Sequence, residues 1–89
     1  MSDYVPRFRR LSARELDAAL LRLDLTNTEF CHLTGVSAKT LRRWLYDDMA
    51  RDYLEPPFWI TSWLAAAEMP GVLDRLRQVA ADNCENPLP

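Results

Sequence analysis

Only two cysteines, Cys31 and Cys84, and a single histidine, His32, occur in this sequence of 89 residues. Two cysteines make no disulfide framework, and these three residues together offer no metal-ligand spacing. Cys31 reads as a small buried hydrophobe and His32 as a surface residue beside a turn. The two glycines, Gly35 and Gly71, stand alone, so no glycine-rich phosphate loop exists. With no serine or cysteine nucleophile constellation either, the sequence does not read as an enzyme, and no cofactor is implied. The acidic stretch Asp47, Asp48, Asp52 and Glu55 lacks the glycine and the regular oxygen spacing of a calcium loop, and reads as a solvated linker. The longest uncharged apolar stretch, 56–67, is too short to span a bilayer. The first residues, "MSDYVPRFRRLSAREL", have no signal-peptide core, so an intracellular, cytoplasmic protein with no membrane partner is expected.

What is present is one small domain's worth of chain with 48% apolar residues, 10% aromatic residues and three tryptophans. That supply supports a compact core and excludes global disorder. A domain this short hides only part of its surface, and dimerisation is a ready way to hide more. The net charge is −2, but it is unevenly placed. Residues 1–46 carry eight cations against five anions, a net +3; residues 47–89 carry three against eight, a net −5. Screening limits a charge's reach to about 8–10 Å, so a polyanion responds to the local field rather than to the average. For the front half to bind one, the acidic back half has to face away.

The order of elements follows from local signals. Residues 1–11, polar and holding Arg7, Arg9 and Arg10, read as a flexible basic arm. Ser12-Ala-Arg-Glu15 is a capping box that starts a helix at Ala13, with Leu16, Leu20 and Leu23 at helical spacing. Thr26-Asn-Thr-Glu29 is a second capping box, opening a two-turn helix with Phe30 and Leu33 inward. Gly35 stops it, because glycine adopts the left-handed conformation without steric cost. Ser37 caps a third helix, expected from Ala38 to about Asp47, with Leu41, Trp44 and Leu45 as its apolar stripe. Pro56-Pro57 opens a fourth helix. Its Trp59/Trp63 and Ile60/Leu64 pairs read as core, with one tryptophan left over for an exposed or dimer face. After Pro70-Gly71, Leu73, Leu76, Val79 and Ala80 mark a fifth. No strand alternation appears. The expected fold is all-α, a compact bundle of four to five helices, with the domain at 12–81 and a disordered tail at 82–89.

Within that bundle, a short helix, a glycine turn and a basic helix make a helix-turn-helix. Cys31 is small enough to face the crossing helix, Val36 plugs the turn into the core, and Leu41 and Trp44 anchor the second helix. Its outer face carries Lys39, Arg42, Arg43 and Tyr46, free to enter a major groove roughly 12 Å wide. Asn27, at the positive end of the first of these helices, is placed for a phosphate.

The stretch "NTEFCHLTGVSAKTLRRWLY", Asn27 to Tyr46, resembles the DNA-binding core of the phage-repressor/Cro-like helix-turn-helix family. The pattern G-V-S-x-x-T-[LIV]-x-x-W carries the likeness, which implies a lambda-repressor-like fold. "WLYDDMARDYLEPPF" also resembles the segment after the recognition helix in small repressors encoded beside phage anti-CRISPR genes. Carried over, the DNA-facing positions are Ser37, Ala38, Lys39, Arg42 and Arg43, with Tyr46 beside them. Arg can give guanine O6 and N7 two parallel bonds, Lys can donate to either, and the Ala38 methyl suits a thymine methyl. Arg7, Arg9 and Arg10 could add a minor-groove arm, or be only a soluble end. The expected function is a sequence-specific transcriptional regulator, a repressor acting as a homodimer on an inverted repeat of double-stranded DNA, with contact to RNA polymerase if it activates. A DNA-locating packaging or recombination accessory protein, or a module binding an acidic protein partner, are the alternatives.

Overall fold

The computed structural model describes residues 4–47 and 49–85. Five helices follow one another: α1 (Ala13–Arg22), α2 (Asn27–Thr34), α3 (Ala38–Trp44), α4 (Phe58–Ala67) and α5 (Val72–Asn83). No strand occurs among the described residues, so the fold is all-α, and none of their helices is long and apolar enough to cross a membrane.

The first three helices begin where a side chain can satisfy a free backbone N–H group; α4 and α5, which follow Pro57 and Gly71, have no side-chain cap. Ser12 Oγ accepts from Glu15 N at 3.2 Å and Ser12 N donates to Glu15 Oε1 at 3.0 Å, a complete capping box. At α2 only half of the expected box forms. Thr26 Oγ1 accepts from Glu29 N at 3.1 Å, but the Glu29 carboxylate accepts instead from Arg77 Nε of α5 at 2.6 Å. A charge-assisted bond to a guanidinium outcompetes a return bond to a neutral amide. Ser37 Oγ accepts from Thr40 N at 3.1 Å and opens α3.

The helix ends are equally local. Gly35 closes α2 at φ 78°, its N–H donating to Cys31 O at 2.9 Å. α1 closes with the same left-handed turn but without glycine: Asp24 sits at φ 56°. Asp24 N donates to Leu21 O and Leu25 N to Leu20 O, and the buried Leu20 and Leu25 complete this Schellman motif. α3 ends at Trp44, earlier than the expected Asp47. Leu45 N is shared among carbonyls of the last turn and Tyr46 N reaches back to Arg43 O, so the chain tightens and turns away. α5, conversely, runs through Asn83, into the stretch expected to be disordered. Gln78 Nε2 donates to the Asp82 carboxylate and Asn83 Nδ2 to Val79 O, which holds the last turn. The rest of the expected tail, from 86 on, lies outside the described residues.

The core gathers Leu16, Ala19 and Leu20 of α1, Leu25, Phe30 of α2, Leu41 and Trp44 of α3, and Ile60 and Leu64 of α4. Phe30 is fully buried and meets Trp63 edge-on, with centroids 5.4 Å apart at 87°. The three tryptophans therefore divide: Trp44 is buried, Trp63 is half-buried over Phe30, and Trp59 remains 46% exposed. α2 packs on both α3 and α5, and α5 also packs on α4. α5 has no fully buried residue, and the Arg77–Glu29 bridge ties it to α2.

Residues 4–11 have no regular secondary structure and are mostly exposed, yet they are anchored. Phe8 stacks on Phe58 at 4.1 Å, Leu11 packs against the core, and Arg9 makes two parallel bonds, 2.9 and 2.7 Å, to the Glu15 carboxylate.

Candidate nucleic-acid interface

α3 has its buried residues, Leu41 and Trp44, on one side, 2% and 4% exposed. At about 100° per residue, Lys39 points most directly away from them, and Arg42 and Arg43 lie on its two flanks. Lys39 and Arg42 are exposed; Arg43 and Tyr46 are half-buried. Ser37 and Ala38 are also exposed at the start of the helix. The Ser37 hydroxyl is already engaged, accepting from Thr40 N and donating to Thr40 Oγ1 at 2.9 Å. What Ser37 presents outward is therefore a fixed backbone rather than a free donor.

Two concavities flank this surface. One, of about 480 Å³, runs between α2 and α3, with Asn27, Thr28 and His32 on one wall, Ala38 and Arg42 on the other, and Cys31, Leu41 and Leu45 also lining it. It brings Asn27, the first residue of α2, into one groove with Ala38 and Arg42. Cys31 is half-buried here rather than fully buried, and desolvation raises its thiol pKa, which disfavours the thiolate. His32, expected at the surface, is half-buried in this groove. The other concavity, of about 460 Å³, is lined by Lys39, Arg42, Arg43, Tyr46 and Asp52.

The second concavity exists because the chain folds back after α3. Ala50 N donates to Asp47 O, Tyr53 N to Ala50 O, and Leu54 N to Arg43 O at 3.2 Å. Arg43 Nε donates in turn to Asp52 O at 3.0 Å. The acidic segment expected to face away from the basic helix thus reaches back to it: Leu54 N adds a donor to the Arg43 carbonyl in the last turn of α3, and Arg43 Nε satisfies the Asp52 carbonyl of the loop. Asp52 was missing from the expected site. Its cue, an arginine nine positions earlier, has no local periodicity to reveal it. Arg14 of α1 was missed as well; it shares a hollow with Tyr46 and Asp47.

The cations fall into two groups. Arg9 pairs with Glu15 at 2.7 Å, Arg10 approaches Glu55 at 3.9 Å, Arg22 pairs with Glu68 at 2.6 Å, and Arg77 bridges Glu29 and Asp74. Lys39, Arg42 and Arg43 make no ion pair among the described residues, and neither do Arg7, Arg14, Arg51 and Arg75; only on α3 do three such cations fall within five residues. Of the arm, Arg9 and Arg10 are thus paired, while Arg7 is exposed, and none of the three lines either concavity beside α3. The Arg9 bond and the Ser12 N–H hold the Glu15 carboxyl at about 2.

No family model, no curated protein and no solved structure matches the chain.

Proposed function

We propose that the protein is a sequence-specific, double-stranded-DNA-binding transcriptional regulator of the cytoplasm, in which α2, the Gly35 turn and α3 act as a helix-turn-helix. The observation that carries this reading is the unneutralised cation face of α3. Four arginines elsewhere are engaged with carboxylates, whereas Lys39, Arg42 and Arg43 project from one short helix and make no ion pair among the described residues, although Asp52 lines the same concavity. A cation already paired gains little from a phosphate, since one ion pair merely replaces another. An unpaired one releases a condensed counterion from the DNA.

In this reading α3 lies in the major groove with Lys39 foremost, and Asn27 meets the backbone at the α2 end. The protein acts as a repressor, a homodimer placing two α3 helices about 34 Å apart on an inverted repeat and occluding a promoter. The deciding experiment selects duplexes from a randomised pool and measures affinity for the selected and a scrambled duplex. A preferred half-site repeated in inverted orientation is expected. In the triple variant Lys39→Ala, Arg42→Ala, Arg43→Ala the affinity is lost while circular dichroism stays helical. Unchanged binding in that folded variant refutes the assignment.

A further inference from the structure

We infer that Arg43 is a phosphate clamp rather than a base reader, held in place by the loop after α3. This rests on the DNA-binding reading above and divides labour within it. Arg43 and Lys39 are one helical turn apart and carry the same charge, yet they are held differently. Lys39 points directly away from the core and is exposed. Arg43 lies on the flank toward the loop, is half-buried, and has its Nε committed to Asp52 O at 3.0 Å. Its own carbonyl accepts from Leu54 N at 3.2 Å, so the loop grips the residue by backbone and side chain together.

Two consequences follow from that grip. A side chain that reads a base must reach the groove floor, roughly 8.5 Å below the phosphate ridges. Tethered sideways to a loop carbonyl, Arg43 cannot extend along that path without breaking its bond. Arg43 still lines the 460 Å³ concavity, together with Lys39, Arg42 and Tyr46, and its two terminal nitrogens make no ion pair among the described residues. A concave, cation-lined flank fits a ridge of sugar and phosphate. With Asn27 at the opposite flank of α3, the helix would sit between two backbone contacts and leave Lys39 over the base edges.

Asp52 gives the second handle. Its carbonyl accepts from Arg43 Nε, and the residue lines the same concavity as Lys39, Arg42 and Arg43, so its carboxylate adds a negative charge to that surface without an ion pair to any of the three. That charge opposes a phosphate and lowers affinity for any sequence. Asp52→Asn keeps the carbonyl and removes the charge.

The test measures affinity of the full chain for one selected duplex, a scrambled duplex and a set of single-base-pair substitutions, each across a salt series. Thermal melts establish that every variant is folded. Arg43→Gln is expected to weaken the selected and scrambled duplexes by the same factor and to leave the base preferences unchanged. It should also make the slope of log K against log salt shallower by about 0.9 per subunit. Lys39→Ala is expected to weaken the selected duplex about tenfold or more and to relax preference at one base pair, with little change on the scrambled duplex. Asp52→Asn is expected to tighten both duplexes alike. A loss of preference at one base pair in Arg43→Gln, or an unchanged salt slope, overturns the clamp. So does an Asp52→Asn protein with wild-type affinity for both duplexes. Absence of any binding by the wild-type chain removes the DNA-binding reading itself, a result distinct from a wild type that binds and an Arg43 variant that loses specificity.

Discussion

Phe30→Ala tests whether α2 is held by the core or by its caps. Phe30 is 0% exposed, sits in the middle of the buried cluster and meets the Trp63 ring edge-on. Removing a fully buried phenyl ring costs about 3–5 kcal/mol, the lost transfer energy plus the cavity left behind. The edge-to-face contact with Trp63 accounts for about 0.5–1.5 kcal/mol of that. A domain of this size has roughly 4–13 kcal/mol of total stability, at about 0.05–0.15 kcal/mol per residue. The substitution thus removes a quarter of the stability at the least, and all of it at the other extreme. By contrast, losing the Thr26 cap costs only about 1 kcal/mol. Urea denaturation followed by circular dichroism reads the whole fold, and tryptophan fluorescence reports the surroundings of Trp63. With a slope of about 1 kcal/mol per molar urea, the midpoint should fall by several molar or the variant should be unfolded at the start. A double-mutant cycle with Trp63→Ala isolates the ring pair. A loss under about 1 kcal/mol would refute the reasoning, since it would mean that Phe30 is not packed as the core anchor of α2.

Gly35→Ala should destabilise by about 1–2 kcal/mol, because the residue holds φ 78° with no atom within 4 Å of the added Cβ, so the cost is backbone strain alone; an unchanged melting temperature would contradict the left-handed cap. Asp24→Gly should act oppositely and stabilise by several tenths to about 1 kcal/mol, relieving the left-handed strain at φ 56° that ends α1; a lowered melting temperature would show that the aspartate makes a compensating interaction. The Glu15 carboxyl is held at about 2 when folded against an ordinary 4.5, so its contribution is complete above about 4.5 and lost as pH falls toward 2; Glu15→Gln should flatten the thermal-melt profile across that window, and an identical acid limb in both proteins would deny the Arg9 bond. On the DNA-binding proposal the cations of α3 give a salt slope no steeper than about −3 per subunit, all three included, and a slope steeper than about −6 would mean that cations outside α3 carry the interaction.

Ser12, Thr26, Ser37 and Gly35 announce their roles in the sequence, and the structure has all four at helix boundaries. Their work is done within a few residues, by a hydroxyl reaching an amide three positions on or by a backbone angle only glycine adopts freely. The apolar spacing of Leu16, Phe30, Leu41, Trp44, Ile60 and Leu64 was equally readable, since helical periodicity places them inward whatever they meet there. The placement of Lys39, Arg42 and Arg43 opposite Leu41 and Trp44 belongs to the same class. What required the tertiary structure is every choice between partners distant in sequence. Glu29 could close a capping box or pair with a cation, and α5, arriving 48 positions later, supplied Arg77. Arg9 and Arg10 could remain a free arm, and carboxylates on α1 and after α3 engaged them. Arg43 looked equivalent to Lys39 until the chain after α3 folded back and offered Asp52 O. Trp44, Trp59 and Trp63 share one residue type, and only packing assigned one to the core, one to Phe30 and one to the surface. Local signals concern groups that the chain itself keeps close. Long side chains such as Arg, Glu and Trp reach several ångströms, so their partners are decided by whichever helix packs within that reach.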